Sequence, residues 1–262
     1  MTVWQAIALG LVQGATEFLP VSSDGHLALA SFALGLVPSL AFDVLLHAGT
    51  LAVLVVGLRR EVGAMVRGAL RLVRAPRDPC ADADLARRIL VASVPTAVLG
   101  LLLRHTAEAQ TASPRIVAAW LAVTGVLLLC TLARRGDRAI GIADALAIGV
   151  AQGLAVLPGL SRSGATIATA LLFGVRRDDA ARFSFAASIP AVAGALALEL
   201  PDVDFARVGI LPAAVGILAA AAAGALALRI VFAVVRGGRV WTFALYLFPL
   251  AAGVAALSFV QR

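Results

Sequence analysis

Apolar residues fall in long blocks along the chain, and polar residues interrupt them at only a few points. A bilayer core of roughly 30 Å needs about 17–25 helical residues to cross. Blocks near that length predict spans over 40–58, 89–104, 116–133, 181–200, 208–228 and 240–260. Two further apolar stretches, 3–36 and 140–174, are broken in the middle by Pro20 and by Pro158 with Gly159. Such residues stop a helix. Each half-segment then has about 15 residues, too few to cross. Both stretches are read as re-entrant helical hairpins with tips near mid-membrane. Irregular backbone is tolerated at that depth only inside protein or beside a wet cavity. The apolar runs do not alternate, so a transmembrane barrel is excluded.

The two hairpins look like copies. AIALGLVQGATEFLPVSSDGHL (Ala6–Leu27) aligns with ALAIGVAQGLAVLPGLSRSGAT (Ala145–Thr166). Gly10, Gln13 and Gly14 match Gly149, Gln152 and Gly153 at a constant offset of 139. Pro20 matches Pro158 after a one-residue slip, and Ser22 and Gly25 match Ser161 and Gly164 with the offset restored. A repeat of this kind in an apolar chain predicts two related halves, 1–138 and 139–262. Each half holds one hairpin and three spans, and together they make one membrane domain. Three is odd, so the second half enters from the opposite side. The expected fold is an all-α polytopic membrane protein with an inverted-topology repeat.

Composition and charge support this and orient it. Hydrophobic residues make up 61%, charged ones 14%, and the mean hydropathy is +0.97. A soluble domain carries about 25% charged residues. The net charge is +7 and every basic residue is arginine, with no lysine. In so apolar a chain this charge speaks for topology rather than for nucleic acid. The loops 59–88, 134–138, 176–182 and 229–239 hold 17 of the 22 arginines, which predicts that they lie in the cytoplasm. The first hairpin then opens outward and the second inward. Trp4 and Trp241 fall near predicted membrane faces. Cys80 and Cys130 have no metal-binding spacing, and Cys130 reads as a small core residue. Glu17 interrupts the first apolar stretch and no basic region precedes it, so no cleaved signal peptide is expected.

Polar residues at membrane depth mark the candidate chemistry. In the second tip Ser161 is placed to cap a helix running to about Gly174. The first turn of that helix offers N–H groups and a positive dipole end to an anion. Arg162 adds a planar fork for phosphate oxygens, and Ser163 and Thr166 add hydroxyl donors. The set predicts a phosphate cradle. The plainer reading is a capped helix whose arginine pairs with a buried carboxylate.

In the first tip Gln13 and Glu17 lie four apart on one helix face. Ser22 is placed to cap the next helix. Ser23 and His26, three apart, can meet on it, with Glu17 arriving from the other arm. This has the logic of a Ser–His–carboxylate group. His26 attacking phosphorus itself, or simply moving protons, stays open. A carboxylate and a phosphate repel unless a cation lies between them, so Glu17 and Asp24 imply a hard divalent ion, Mg²⁺ or Ca²⁺. Asp24 reads equally well as a helix-start residue complementing the dipole. Asp43 and His47, four apart, either face the same cavity or form a structural pair near the outer surface, the second being the preferred reading, and Asp144 reads as a dipole-complementing residue.

With these residues on the page, GxxQGxTEFLPVSSDGHL and LPGLSRSGAT resemble the signature regions of the bacterial undecaprenyl-diphosphate phosphatases of the bacitracin-resistance type. FDVLLHAGTLAVL (Phe42–Leu54) and RFSFAASIPAVAGAL (Arg182–Leu196) are also similar to theirs. The resemblance covers nearly the whole chain. It implies removal of the terminal phosphate from a C55 polyprenyl diphosphate, outside the inner membrane, with a divalent cation. By this likeness Glu17, Ser23, His26 and Arg162 occupy catalytic positions, and Gln13, Ser22, Ser161 and Ser163 supporting ones. Gln13 stands at a position the family pattern also fills with an acid, and Asp24 where Ser or Thr is usual. The partners expected are the lipid diphosphate and membrane lipids, with a homodimer compatible with the chain and no nucleic acid.

Two rival classes were weighed. Another superfamily of membrane lipid phosphatases needs a second histidine after its arginine. The histidines here are His26, His47 and His105, so none follows Arg162. A transporter or flippase of an anionic lipid would share the repeats and broken helices, but it would need the cradle without Ser23 beside a base.

Overall fold

The computed structural model describes residues 1–36, 40–75, 80–111, 113–134, 136–203 and 208–260. Arg77 and Arg135 of the predicted arginine-rich loops, Asp204 and Arg207 of the outer loop, and Arg262 lie outside the described residues. Among the described residues the chain is helical, with no strand and one isolated bridge, Arg138 to Val175.

The first hairpin is α1 (Val3–Phe18) and α2 (Ser23–Ala33). Thr2 opens α1 with a capping box, its hydroxyl accepting from Gln5 N while the Gln5 side chain accepts from Thr2 N. Pro20 closes it. The residue before a proline is pushed out of the helical region, and Leu19 is extended at φ −68°, ψ 142°. The second hairpin is α7 (Ile142–Leu154) and α8 (Arg162–Leu172). Asp144 opens α7. Its carboxylate accepts from Gly141 N at 2.7 Å and takes Arg138 bidentately at 2.6 and 2.7 Å. This pairing raises the Arg138 guanidinium pKa above its ordinary value.

The other helices are α3 (Leu40–Gly57), α4 (Arg59–Arg74), α5 (Ala81–Thr111), α6 (Pro114–Leu129), α9 (Arg177–Glu199), α10 (Ile210–Arg236) and α11 (Ala244–Val260). Three of these, α5, α9 and α10, are long and apolar enough to cross a membrane. A fourth span is possible where α3 turns through 83° into α4. The chain is a polytopic helical membrane protein.

The predicted loop 59–88 needs correction, because most of it is helix. On α4, Val66, Leu70 and Val73 recur along an exposed face among arginines, a pattern typical of helices lying in a membrane interface. On its other side α4 packs so closely on α5 that a Cβ at Gly68 would meet the Asp82 carbonyl at 2.0 Å. Helix α5 starts at 81 rather than 89, and α10 runs past 228 to 236. Cys130 is exposed rather than in the core.

Each hairpin's first arm lies against a long helix of the other half. A Cβ at Gly14 of α1 would sit 2.2 Å from Ala220 O of α10, and one at Gly10 would sit 2.3 Å from Gly216 O. A Cβ at Gly149 of α7 would sit 2.2 Å from Ala92 O of α5. Glycines four apart face the same way and let two backbones touch. This seating fixes the depth and direction of both tips. Phe18 of α1 meets Phe185 of α9 edge to face at 5.8 Å, closing the space beneath them.

Candidate functional site

The two tips meet at Glu17. Its side chain is almost fully buried, and every polar partner it has comes from a different turn of the fold. Arg162, the first residue of α8, is on Oε1 as an ion pair. Ser23, the first residue of α2, donates to Oε2 at 2.8 Å. Gln13, one turn back on α1 and fully buried, donates to the same oxygen at 3.0 Å. His47 Nε2 of α3 lies 3.6 Å from it.

The second tip is well braced. Ser161 caps α8 by accepting from Gly164 N at 3.1 Å, as expected. Ser161 N donates to Thr124 of α6 at 3.0 Å. Ser163 donates to Leu19 O at 3.1 Å and so ties the second tip to the first. Thr166 lines the same small cavity as Glu17 and Arg162. Its one hydroxyl proton goes back to Arg162 O at 2.9 Å, so it is not the free donor that was expected. One guanidinium nitrogen of Arg162 is on Glu17, and a five-donor fork keeps capacity for a second anion. The plainer of the two readings posed from sequence, an arginine paired with a buried carboxylate, is what the structure contains.

The first tip differs from expectation in three ways. Ser22 stands at the N-cap of α2 but makes no capping bond, because its φ is +69°. His26 does not meet Ser23. Its Nδ1 faces Ser22 O at 2.7 Å and its Nε2 faces the Tyr246 hydroxyl of α11 at 2.7 Å. A carbonyl only accepts, so Nδ1 carries a proton, and when the ring is neutral Tyr246 donates to the Nε2 lone pair. Asp24 is exposed and stands outside the group gathered on Glu17. The expected pairing of Asp43 with His47 is also revised. His47 Nδ1 faces the Asp43 backbone carbonyl at 2.8 Å, leaving Nε2 directed toward Glu17.

The donor set suits a cation only in part. Among the described residues no group of three or more His, Cys, Asp or Glu could hold a metal ion. One observation does favour a ligand: Gln13 Oε1 is buried without a hydrogen-bond partner, beside Glu17. An amide oxygen and one carboxylate suit an ion whose remaining ligands are water and substrate phosphate, the usual manner of Mg²⁺.

From sequence His47 belongs either at this cavity or, by preference, in a structural pair, and the structure puts it at the cavity; the sequence does not single out Tyr246 or Ser184. His47 carried a weak signal, sitting four residues from Asp43 and three before the buried Thr50. Tyr246 is the only tyrosine in the chain, which alone says nothing of where it reaches.

The family model described as bacitracin resistance protein BacA matches residues 6–253. A protein named undecaprenyl-diphosphatase from Rubrobacter xylanophilus is 46% identical, over 97% of this chain and 97% of its own. Proteins of the same name from Desulfosudis oleivorans and Korarchaeum cryptofilum are 44% and 39% identical, covering 94% and 98% of this chain and 95% and 99% of their own. The chain belongs to the bacitracin resistance protein BacA family.

Proposed function

We propose that this chain is an integral-membrane phosphatase that hydrolyses undecaprenyl diphosphate to undecaprenyl phosphate and inorganic phosphate. That reaction returns a lipid carrier to cell-wall synthesis and fits the bacitracin resistance for which the family is named. The observation that carries the reading is the Ser23 hydroxyl donating to Glu17 at 2.8 Å, with Arg162 on the other carboxylate oxygen.

The chemistry follows from those contacts. Ser23 Oγ attacks the terminal phosphorus as its proton passes to Glu17 Oε2. The bond from phosphorus to the bridging oxygen breaks, and the lipid monophosphate leaves. Arg162 and the start of α8 hold the charge that builds on the phosphoryl oxygens. Water then attacks the phosphoserine, Ser23 regains a proton and phosphate leaves. His26, held by Ser22 O and Tyr246, stands ready to exchange a proton with the leaving oxygen. Attack by His26 itself is the second reading. It requires Nε2 to give up the Tyr246 hydroxyl, because Nδ1 is held on a carbonyl.

Glu17 and Gln13 Oε1 would hold a divalent cation, Mg²⁺ or Ca²⁺, which supplies charge neutralisation when bound beside the diphosphate. The test is phosphate release by the purified protein in detergent, where transport has no meaning. Chelation should stop release, and added Mg²⁺ or Ca²⁺ should restore it. Full turnover in the presence of chelator would remove the cation. An inert protein that still moves lipid between leaflets would instead favour the flippase.

The arrangement also fits an inverted repeat in the inner membrane, with the active site open to the periplasm. The support is the exchange of partners, α1 on α10 and α7 on α5, together with the arginine bias. Single cysteines at 59–74 and 176–182 should be labelled from the cytoplasm only. Labelling of the two segments from opposite sides would end this topology.

A further inference from the structure

The cavity between the tips is also faced by Ser184 of α9, together with Glu17, Arg162, Ser163 and Thr166. Ser184 is 2% exposed, and its hydroxyl has no hydrogen-bond partner among the described residues. That is unusual within this molecule. Hydroxyls on its helices are generally spent on a carbonyl one turn back. Thr16 donates to Val12 O at 2.7 Å, Ser93 to Ile89 O at 2.8 Å, and Ser188 to Phe185 O at 2.8 Å. Ser184 could do the same and does not. An unpaired buried hydroxyl gives up its hydrogen bonds to water with nothing in return. Alanine would fill the place at no such cost, and the same stretch of α9 carries Ala180, Ala181, Ala186 and Ala187, all buried. The local fold therefore gains nothing from this oxygen.

We infer that Ser184 is a phosphate ligand: its hydroxyl donates to a non-bridging oxygen of the diphosphate that Arg162 binds. This rests on the phosphatase reading above and deepens it. The phosphate site would then draw on three elements, α8 for charge, the first tip for attack and α9 for a neutral donor. A phosphate oxygen suits this hydroxyl, because the guanidinium of Arg162 faces the same cavity and draws an anion toward it.

Ser184→Ala separates this role from a structural one. Thermal unfolding of the detergent-solubilised protein, with and without inorganic phosphate as probe, is measured beside kcat/KM for the lipid diphosphate. Without phosphate the variant should unfold at the wild-type temperature or higher, since it loses an unpaired buried group. Its stabilisation by phosphate should shrink, and kcat/KM should fall about tenfold. Ser184→Cys keeps the approximate size with a weak donor and should track alanine rather than serine. Activity and phosphate response within twofold of wild type would overturn the assignment. So would a clear drop in unfolding temperature for Ser184→Ala, which would return the hydroxyl to the fold. A wild-type protein that releases no phosphate from lipid would sink the phosphatase reading instead. The phosphate-dependent unfolding shift would then still decide whether Ser184 binds the anion.

Discussion

Ser23 and Arg162 occupy the same place in the two repeats, the first residue of the second helix in each hairpin. In the proposed mechanism one offers an attacking oxygen and the other a cation. The backbones behind them differ as well. Ser161 sits at φ −67° and caps α8, and Gly159 supplies the left-handed turn at φ +99° before it. The first tip has its proline one residue later relative to the repeat, and no glycine follows that proline before the serine. Its left-handed turn falls on Ser22 at φ +69°, the only non-glycine residue with positive φ among those described. Such a conformation costs on the order of 1–3 kcal/mol and tends to collect at functional sites. The strain accompanies a helix that also runs further. Helix α1 continues to Phe18, so Glu17 is a helical residue, whereas α7 stops at Leu154 and the matching position, Val156, falls in the turn. On the proposed mechanism, the relaxed tip binds and the strained tip reacts.

Substitutions at matched positions test that division. The largest effects belong to the strained tip. Ser23→Ala and Glu17→Gln should each lower kcat by roughly 10²–10⁴-fold. The double variant should be little worse than either, because one proton transfer joins them. The outcome against this is appreciable turnover by Ser23→Ala with a phosphoprotein that is acid-labile, alkali-stable and maps to His26. At the binding tip Arg162→Lys keeps charge but loses the fork. A fall of at least about tenfold is expected, equivalent to about 1.4 kcal/mol. A lysine variant with wild-type turnover would show that the second tip supplies charge alone. The smallest effects concern the two serines before these residues. Ser161→Ala should destabilise the protein by about 1 kcal/mol through loss of its cap. Ser22→Gly should stabilise it by a similar amount by relieving the backbone, as read in denaturant or thermal unfolding. Equal shifts of the same sign would erase the distinction between relaxed and strained tips.

Much of this was legible because it is local. The hairpins, their breaks at Pro20 and Pro158, and the motif residues all follow from short-range pattern. Helix α4 was missed because its arginines dominate a reading by hydropathy, although Val66, Leu70 and Val73 keep a helical spacing. The pairing of Ser23 with His26 was expected from a spacing of three, and it failed on one bond. The carbonyl of Ser22 captures Nδ1 and turns the ring to Tyr246, 220 residues away. No periodicity reports such a partner. Ser184 was invisible for a related reason. A serine among alanines in a helix carries no sign until the structure shows that its hydroxyl has nowhere to go.

The seating of α1 on α10 has a consequence for synthesis. The glycine face of the first hairpin is complete once Phe18 has been made, but its partner does not begin until Ile210. At roughly 5–20 residues per second, the ribosome takes on the order of 10–40 s to cover that distance. For that time the reactive tip has no wall behind it. Assembly of the catalytic group is therefore a late event, and any factor that shelters a short, half-inserted hairpin in the bilayer would act during this interval.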